Sequence, residues 1–376
     1  MAALQTRNRA GIYIHVPFCL QKCVYCDFYS VTDSSFIEQY IVALEKEIIT
    51  SAQTANNLSV DTLYVGGGTP SILSGKQLGR IVDTLHKHFD CSNIIERTIE
   101  CNPGTVTHDT VKALSSLSFN RISLGVQSFS NSELKFLGRI HSSLDAVNAV
   151  KILQDGGFSR LNVDILFGIP GQSLNSFLAN LDTAVELEIS HLSVYGLTIE
   201  EGTPLSKMVQ NGEITAQHEE LYEASFLSAH ARLEREGFNH YEISNYALNG
   251  CESLHNMNCW RGHDYYGFGP AAHSRMDRAR FGNIQNIKEY LISPCEKAFI
   301  NEVSDEQDRL EKFMLGLRTS EGIRVDGLAS SSKVIKLVKR GLLDIRGNLI
   351  RLTKEGMMLI DEIILILEEE QCLTLR

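Results

Sequence analysis

The chain has 376 residues, of which 43% are hydrophobic and 22% charged, and it carries a net charge of −11. That acidic balance argues against nucleic acid or an anionic membrane as partner, and no apolar run approaches the roughly 20 residues of a transmembrane segment. Nine cysteines behind an N-terminus without an apolar signal core, MAALQTRNRAG, read as reduced thiols and metal ligands in a reducing, cytoplasmic setting.

The first apolar run, Gly11–Val16, is expected to be a strand, and Cys19, Cys23 and Cys26 follow it with C-x3-C-x2-C spacing. Three thiolates are one fewer than the four that normally close an iron–sulfur cluster or a structural zinc site. One metal position is then left open for a cofactor or substrate. A helical pattern over Ser35–Thr50 leads to a second strand, Asp61–Val65, which ends in the glycine-rich Gly66–Ser71 (GGGTPS). Helix Lys76–Phe89 precedes strand Arg97–Cys101, closed by Glu100-Cys-Asn-Pro103. Helix His108–Leu117 precedes strand Arg121–Val126, closed by Gly125-Val-Gln127-Ser128. Helix Leu144–Asp155 leads into strand Leu161–Phe167, which carries Asp164 and runs into Gly168-Ile-Pro-Gly171. Helix Leu174–Leu187 and strand His191–Leu197 end the series at Thr198–Pro204.

Strands separated by single helices imply a parallel sheet with right-handed crossovers. Six such units predict an α/β fold, either doubly wound or a partial (β/α)6 TIM-like barrel short of the usual eight units. In either, the C-terminal ends of all strands share one face. The cysteine loop, the glycine turn and the lone carboxylates therefore converge on one mouth, read here as an active-site rim.

After a long helix, Glu219–Glu236, the composition shifts. Residues 238–300 are rich in Tyr, Asn, His and Gly without clean periodicity and read as a connecting segment after a core of residues 1–237. From Asp305 the chain is helical again, and Val334–Leu342 and Lys354–Leu367 flank a hairpin-like Leu343–Leu352. Residues 301–376 thus read as a small, mainly helical, winged-helix-like C-terminal domain. Its acidic end (Asp361, Glu362, Glu368, Glu369, Glu370) argues against the DNA binding that such a shape suggests. Cys91, Cys101, Cys295 and Cys372 read as small buried hydrophobes. Zinc remains an alternative for the three-cysteine loop, although no fourth Cys or His follows at a finger-like spacing; the better match is a three-thiolate [4Fe–4S] cluster with one free iron.

Cys19, Cys23 and Cys26, with Gly-Gly-Gly-Thr-Pro and Glu100-x-Asn-Pro, resemble the signature of the radical S-adenosylmethionine (SAM) enzymes, and the likeness runs through nearly the whole chain. The resemblance implies that SAM chelates the unique iron and that an electron from the cluster cleaves it to a 5′-deoxyadenosyl radical. It also implies SAM contacts. Gly66, Gly67, Gly68 and Thr69 would meet the amino group, and Glu100 a ribose hydroxyl. Tyr13, in Tyr-Ile-His-Val-Pro-Phe-Cys, matches a SAM-contacting tyrosine. Gln127, Arg139 and Asp164 fall where the oxygen-independent coproporphyrinogen III oxidases place ligands to a second SAM.

Those oxidases carry a further cysteine two residues past the third, where this chain has Phe28. Phe at that place resembles the HemW-type heme chaperones, and His255-Asn-Met-Asn-Cys-Trp260 is similar to their H-N-x-x-Y-W pattern, with Cys259 in place of Tyr. The resemblance implies His255 as an axial heme ligand and Trp260 packed on a porphyrin face, with His273 a secondary candidate. Cys251, His255 and Cys259 would share a face in a helix, but the surrounding Asn and Gly argue against one. The implied function is a radical SAM heme chaperone delivering heme to apo-heme respiratory proteins. Coproporphyrinogen III oxidation is the alternative, and a cluster-bearing electron-transfer or regulatory protein the third; whether the chain is an enzyme is left open. An electron donor such as flavodoxin or ferredoxin is implied, with a cytoplasmic location and peripheral visits to the membrane.

Overall fold

Six strands, β1 (Arg9–Val16), β2 (Ser59–Gly67), β3 (Glu96–Cys101), β4 (Arg121–Gln127), β5 (Leu161–Phe167) and β6 (His191–Gly196), lie side by side in chain order, each parallel to the next. The computed structural model describes residues 9–55, 58–325 and 331–371; Cys372 lies outside them. Helices Ile37–Ala52, Gly75–His88, His108–Ser116, Ser143–Asp155 and Leu174–Glu186 fill the crossovers, within a residue or two of the pattern read from sequence. Their starts are set by local chemistry. Ser74 with Gln77, and Ser142 with Asp145, form reciprocal capping boxes that satisfy otherwise orphaned N–H groups.

Side-chain alternation along the strands sorts two environments. Ile12, Ile14 and Val16, Leu63 and Val65, Ile122 and Leu124, Val163 and Ile165, and Leu192 and Val194 join the buried core. The intervening residues are polar and meet one another across the sheet, as Tyr64 does Glu100 and as Asn162 does Ser123 and Ser193. A parallel sheet buried on both faces ordinarily reads as continuous apolar runs. Here one face is reserved for polar chemistry.

The sheet does not stop at β1 and β6. Residues 238–300 supply β7 (Asn239–Glu242) and β8 (Asn245–Ala247) beyond β6. They also supply β9 (Tyr265–Phe268), β10 (His273–Met276), β11 (Ala279–Asn283) and β12 (Lys297–Glu302) beyond β1, completing a twelve-stranded sheet. No periodicity announced these strands because each has only three to six residues, too few for a period to register. Four helices among the described residues were also unforeseen, Pro204–Gln210 and Ile287–Ile292 and two that bear on the sites. Asn131–Leu137 ends at Gly138 in the left-handed region (φ 73°). Leu254–Trp260 forms despite its asparagines, because Ser253 Oγ accepts from the Asn256 amide while the Glu96 carboxylate, at the start of β3, accepts from the amides of Leu254 and His255. Tertiary capping overrides weak local propensity. Cys251 falls before this cap, so only His255 and Cys259 stand one turn apart.

The C-terminal part carries helices Asp305–Leu317 and Ser332–Lys339, the hairpin Leu343–Arg346 with Leu349–Leu352, and helices Lys354–Met358 and Ile360–Gln371. Ile323–Arg324 pairs with the hairpin's second strand, giving the helix, strand, helix and wing of the expected shape. Among the described residues no helix is long and apolar enough to cross a membrane.

Candidate cofactor-binding site

A cavity of about 500 Å³ opens at the C-terminal ends of β1 to β6, within the range of small-molecule pockets. It is lined by Cys19, Cys23 and Cys26, by Gly67, Gly68 and Thr69, and by Glu100, Gln127, Arg139 and Asp164. Residues from six separate loops and strands thus meet on one mouth. Tyr13 stands apart from that lining, one step down the polar face, its hydroxyl 3.0 Å from His15 Nδ1 and its ring 6.0 Å from Tyr64. Gly66 lies against Tyr64 and the Glu100 carboxylate.

The cysteine loop is held in place by its neighbours. The Cys19 amide donates to Val31 O at 3.0 Å, and the Val24 amide donates to Leu137 O at 3.3 Å. Gln21 Nε2 reaches Gly138 O at 3.0 Å, and Tyr25 packs on Leu137, Leu166 and Ile169. The short helix that ends at Gly138 is therefore part of the site's foundation. Thr69 Oγ1 lies 3.7 Å from Cys19 Sγ and Arg139 Nη1 3.3 Å from Cys23 Sγ. Among the described residues no three His, Cys, Asp or Glu side chains gather tightly enough for a single metal ion; the thiols line a wider space.

Glu100 accepts from the Tyr64 hydroxyl at 2.8 Å and from the Gly67 amide at 3.0 Å, and burial pushes its carboxyl up to about 7. Gly67 has φ 113°, and a Cβ there would come within 2.8 Å of the His15 ring, so only glycine lets this backbone turn at the cavity wall. The register of β4 against β5 slips between Leu124 and Gln127, and Gln127 sits at φ 73°. That bulge re-aims its side chain, at a strain of about 1–3 kcal/mol that the surrounding structure must hold. Asp164 accepts from Asn162 Nδ2 at 2.7 Å, and burial raises its carboxyl above the ordinary range. Arg139 donates to Gly125 O, yet its Nε is buried without a partner beside the cavity.

These features fit a [4Fe–4S] cluster with SAM. Three thiols face one cavity, an unpartnered guanidinium nitrogen and two carboxylates face the same space, and glycine backbone forms its wall. Sequence reasoning missed Tyr64, Ser123, Asn162 and Tyr195 as parts of this polar face. The signal was present in the strict apolar–polar alternation of Ile12-Tyr-Ile-His15, Leu63-Tyr-Val65 and Leu192-Ser-Val-Tyr195.

His255 and Trp260 lie elsewhere. His255 is 5% exposed, its Nδ1 2.8 Å from Thr62 Oγ1 and its ring 5.2 Å from Tyr64, and burial pushes its imidazole down to about 4. It enters the sheet's polar face near the N-terminal ends of the strands, where Gly11 makes room; a Cβ there would stand 3.0 Å from the imidazole. Trp260 packs with Met257 and Tyr241, and the Arg318 guanidinium covers its ring at 5.0 Å. Neither residue lines the cavity. His273, on β10, packs against Phe299.

Residues 13–184 match the model of the radical SAM superfamily. The chain is 32% identical over 369 residues to "Heme chaperone HemW" of Bacillus subtilis, covering 93% of this chain and 97% of that protein. It is 38% identical over 268 residues to the protein of the same name from Escherichia coli, covering 71% and 70%. The solved structure of coproporphyrinogen III oxidase (HemN) from Escherichia coli, described as a radical SAM enzyme, superposes with a TM-score of 0.83 at 22% identity, covering 96% of this chain and 90% of that one.

Proposed function

The chain belongs to the radical SAM superfamily and, within it, to the HemW heme-chaperone family, and from that membership we propose that it binds heme and hands it to apo-proteins. The observation that carries this reading is Phe28, 71% exposed at the lip of a three-thiol cavity, where a further cysteine would mark the porphyrin-oxidising relatives. In this reading Cys19, Cys23 and Cys26 hold a [4Fe–4S] cluster and its free iron takes SAM. When bound, the pair supplies a low-potential electron and a reducible sulfonium. The chain's own residues do the rest: Gly67, Gly68 and Thr69 offer backbone and hydroxyl groups to SAM's polar end. Glu100 is placed for a ribose hydroxyl, and Gln127, Arg139 and Asp164 close the far wall. Respiratory heme proteins are the proposed recipients, a flavodoxin or ferredoxin the proposed donor, and the cytoplasm with visits to the membrane the proposed location.

The test is anaerobic reconstitution followed by two measurements on the same preparation. Hemin titration is expected to give a saturable Soret band. Incubation of the reduced protein with SAM and coproporphyrinogen III is expected to leave the propionates intact. Vinyl product would transfer the function to oxidative decarboxylation. A cluster whose EPR signal ignores SAM would support the electron-transfer alternative.

A further inference from the structure

The three thiols of the cavity are met by different hydrogen-bond donors. Thr69 Oγ1 stands 3.7 Å from Cys19 Sγ, and the Phe28 amide donates to Cys26. Cys23 is met by the Tyr25 hydroxyl and by Arg139, whose Nη1 lies 3.3 Å from the sulfur. Of these donors only the guanidinium is charged. Among the described residues the cavity lining holds one other cation, Lys22, and its Nζ bonds the Phe28 carbonyl at 3.3 Å.

Arg139 reaches Cys23 from a turn that also holds the cysteine loop by its backbone. Leu137 O accepts from the Val24 amide at 3.3 Å, and Gly138 O accepts from Gln21 Nε2 at 3.0 Å. Residues 137 to 139 thus grip the loop on both sides of Cys23 and at its sulfur. The guanidinium is anchored as well, its Nη2 donating to Gly125 O beside the bulge of β4. The protein's own contacts therefore fix where this charge stands.

A charge-assisted hydrogen bond is roughly twice as strong as a neutral one, and net charge and hydrogen bonds to the sulfurs set a cluster's potential. Reduction adds one negative charge, so a guanidinium on a thiolate stabilises the reduced form more than the oxidised one. We propose that Arg139 is a positioning residue that acts through Cys23 to raise the reduction potential of the cluster. It makes the cluster easier to reduce and a milder reductant. The inference rests on the [4Fe–4S] reading of the three cysteines and is independent of where heme or SAM sits.

Full-length wild type, Arg139→Gln, Arg139→Lys and Lys22→Gln are reconstituted anaerobically without SAM or heme. Iron and sulfide content and circular dichroism establish an intact cluster in a native fold. Graded reduction by dithionite, followed by the EPR signal of the reduced cluster, then gives its midpoint potential. Arg139→Gln is expected to be at least tenfold harder to reduce, a fall of about 59 mV or more for one electron. Arg139→Lys keeps the charge but cannot fork between Gly125 O and Cys23 Sγ, so its potential should lie between the two. Lys22→Gln removes the same charge from the mouth without touching a thiol and should shift the equilibrium less than threefold. An unchanged potential in Arg139→Gln would overturn the proposal. So would an equal fall in Lys22→Gln, which assigns the effect to the charge of the mouth and not to the contact. If the glutamine variant loses its iron, the lysine variant decides, and a wild-type potential there overturns the proposal. Iron lost from both in a native fold overturns it too, leaving the arginine a residue of assembly. A wild-type chain that reconstitutes no four-iron cluster would instead remove the cluster reading itself.

Discussion

At the scale of single residues, Glu100 carries two demands that pull in opposite directions. Burial lifts its carboxyl from 4.5 to about 7, so the folded protein prefers the protonated form more strongly than the unfolded chain does. Folding then takes up a proton between those two values, and the stability tied to this group is present in acid and lost as pH rises through about 7. Removing the charge should therefore help the cofactor-free fold at high pH: Glu100→Gln is expected to be more stable than wild type by up to about 3 kcal/mol at pH 8. The gap should close toward pH 4.5. Urea unfolding at pH 5, 6.5 and 8 measures it, and a pH-independent difference would place the effect elsewhere. The same substitution is expected to weaken SAM binding by about tenfold through loss of a charged hydrogen bond, read by equilibrium dialysis. A site residue that costs stability while it serves a ligand is the usual form of such a conflict.

At the scale of elements, the helix Leu254–Trp260 shows how a distant residue can decide local structure. Its two leading amides end on one buried carboxylate, Glu96, at 3.0 Å each, and its His255 ring docks into the space left by Gly11. Nothing within the heptapeptide predicts a helix, and the asparagines argue against one; the cap comes from about 160 residues upstream. Glu96→Ala leaves one buried and one partly buried N–H group without an acceptor and is expected to cost about 2–4 kcal/mol. Hydrogen exchange should rise sharply at Leu254 and His255 while the amides of β4 and β5 stay protected. Equal acceleration across the sheet would mean that the carboxylate supports the whole fold and not this helix. Gly11→Ala attacks the same docking from the other side, by placing a methyl 2.8 Å from Thr62 Oγ1 and against the His255 ring. It should raise exchange at the same amides with the Glu96 cap still present.

At the scale of the whole molecule, the six parallel strands, their helices and the residues at their mouth were legible because each motif sat at a strand's end and each strand was long enough to show its period. Cys19, Cys23, Cys26, Gly67, Glu100, Gln127 and Asp164 reach one cavity from that ordering alone. What was not legible is whatever depends on long-range partners: the short strands β7 to β12, the helix at His255, and the packing that takes His255 and Trp260 away from the cavity. Glu47 belongs to this second class. On helix Ile37–Ala52 it reads as one more surface glutamate, yet it is fully buried and accepts from the Gly269 amide, Asn283 Nδ2, the Tyr290 hydroxyl and Lys297 Nζ at 2.7–3.1 Å. It thus ties the barrel's first helix to β11, β12 and the turn after β9, joining the strands added at that edge to the core. Removing one partner of a buried pair strands the other charge, so Glu47→Ala is expected to cost about 3–5 kcal/mol. Replacing both partners with apolar groups removes that stranded charge, and Glu47→Leu with Lys297→Met should recover a large part of the loss. Urea midpoints of the single and double variants give the coupling directly. If the double variant is as unstable as the sum of the singles, the pair is not what holds this edge, and the Tyr290 and Gly269 hydrogen bonds must carry it instead.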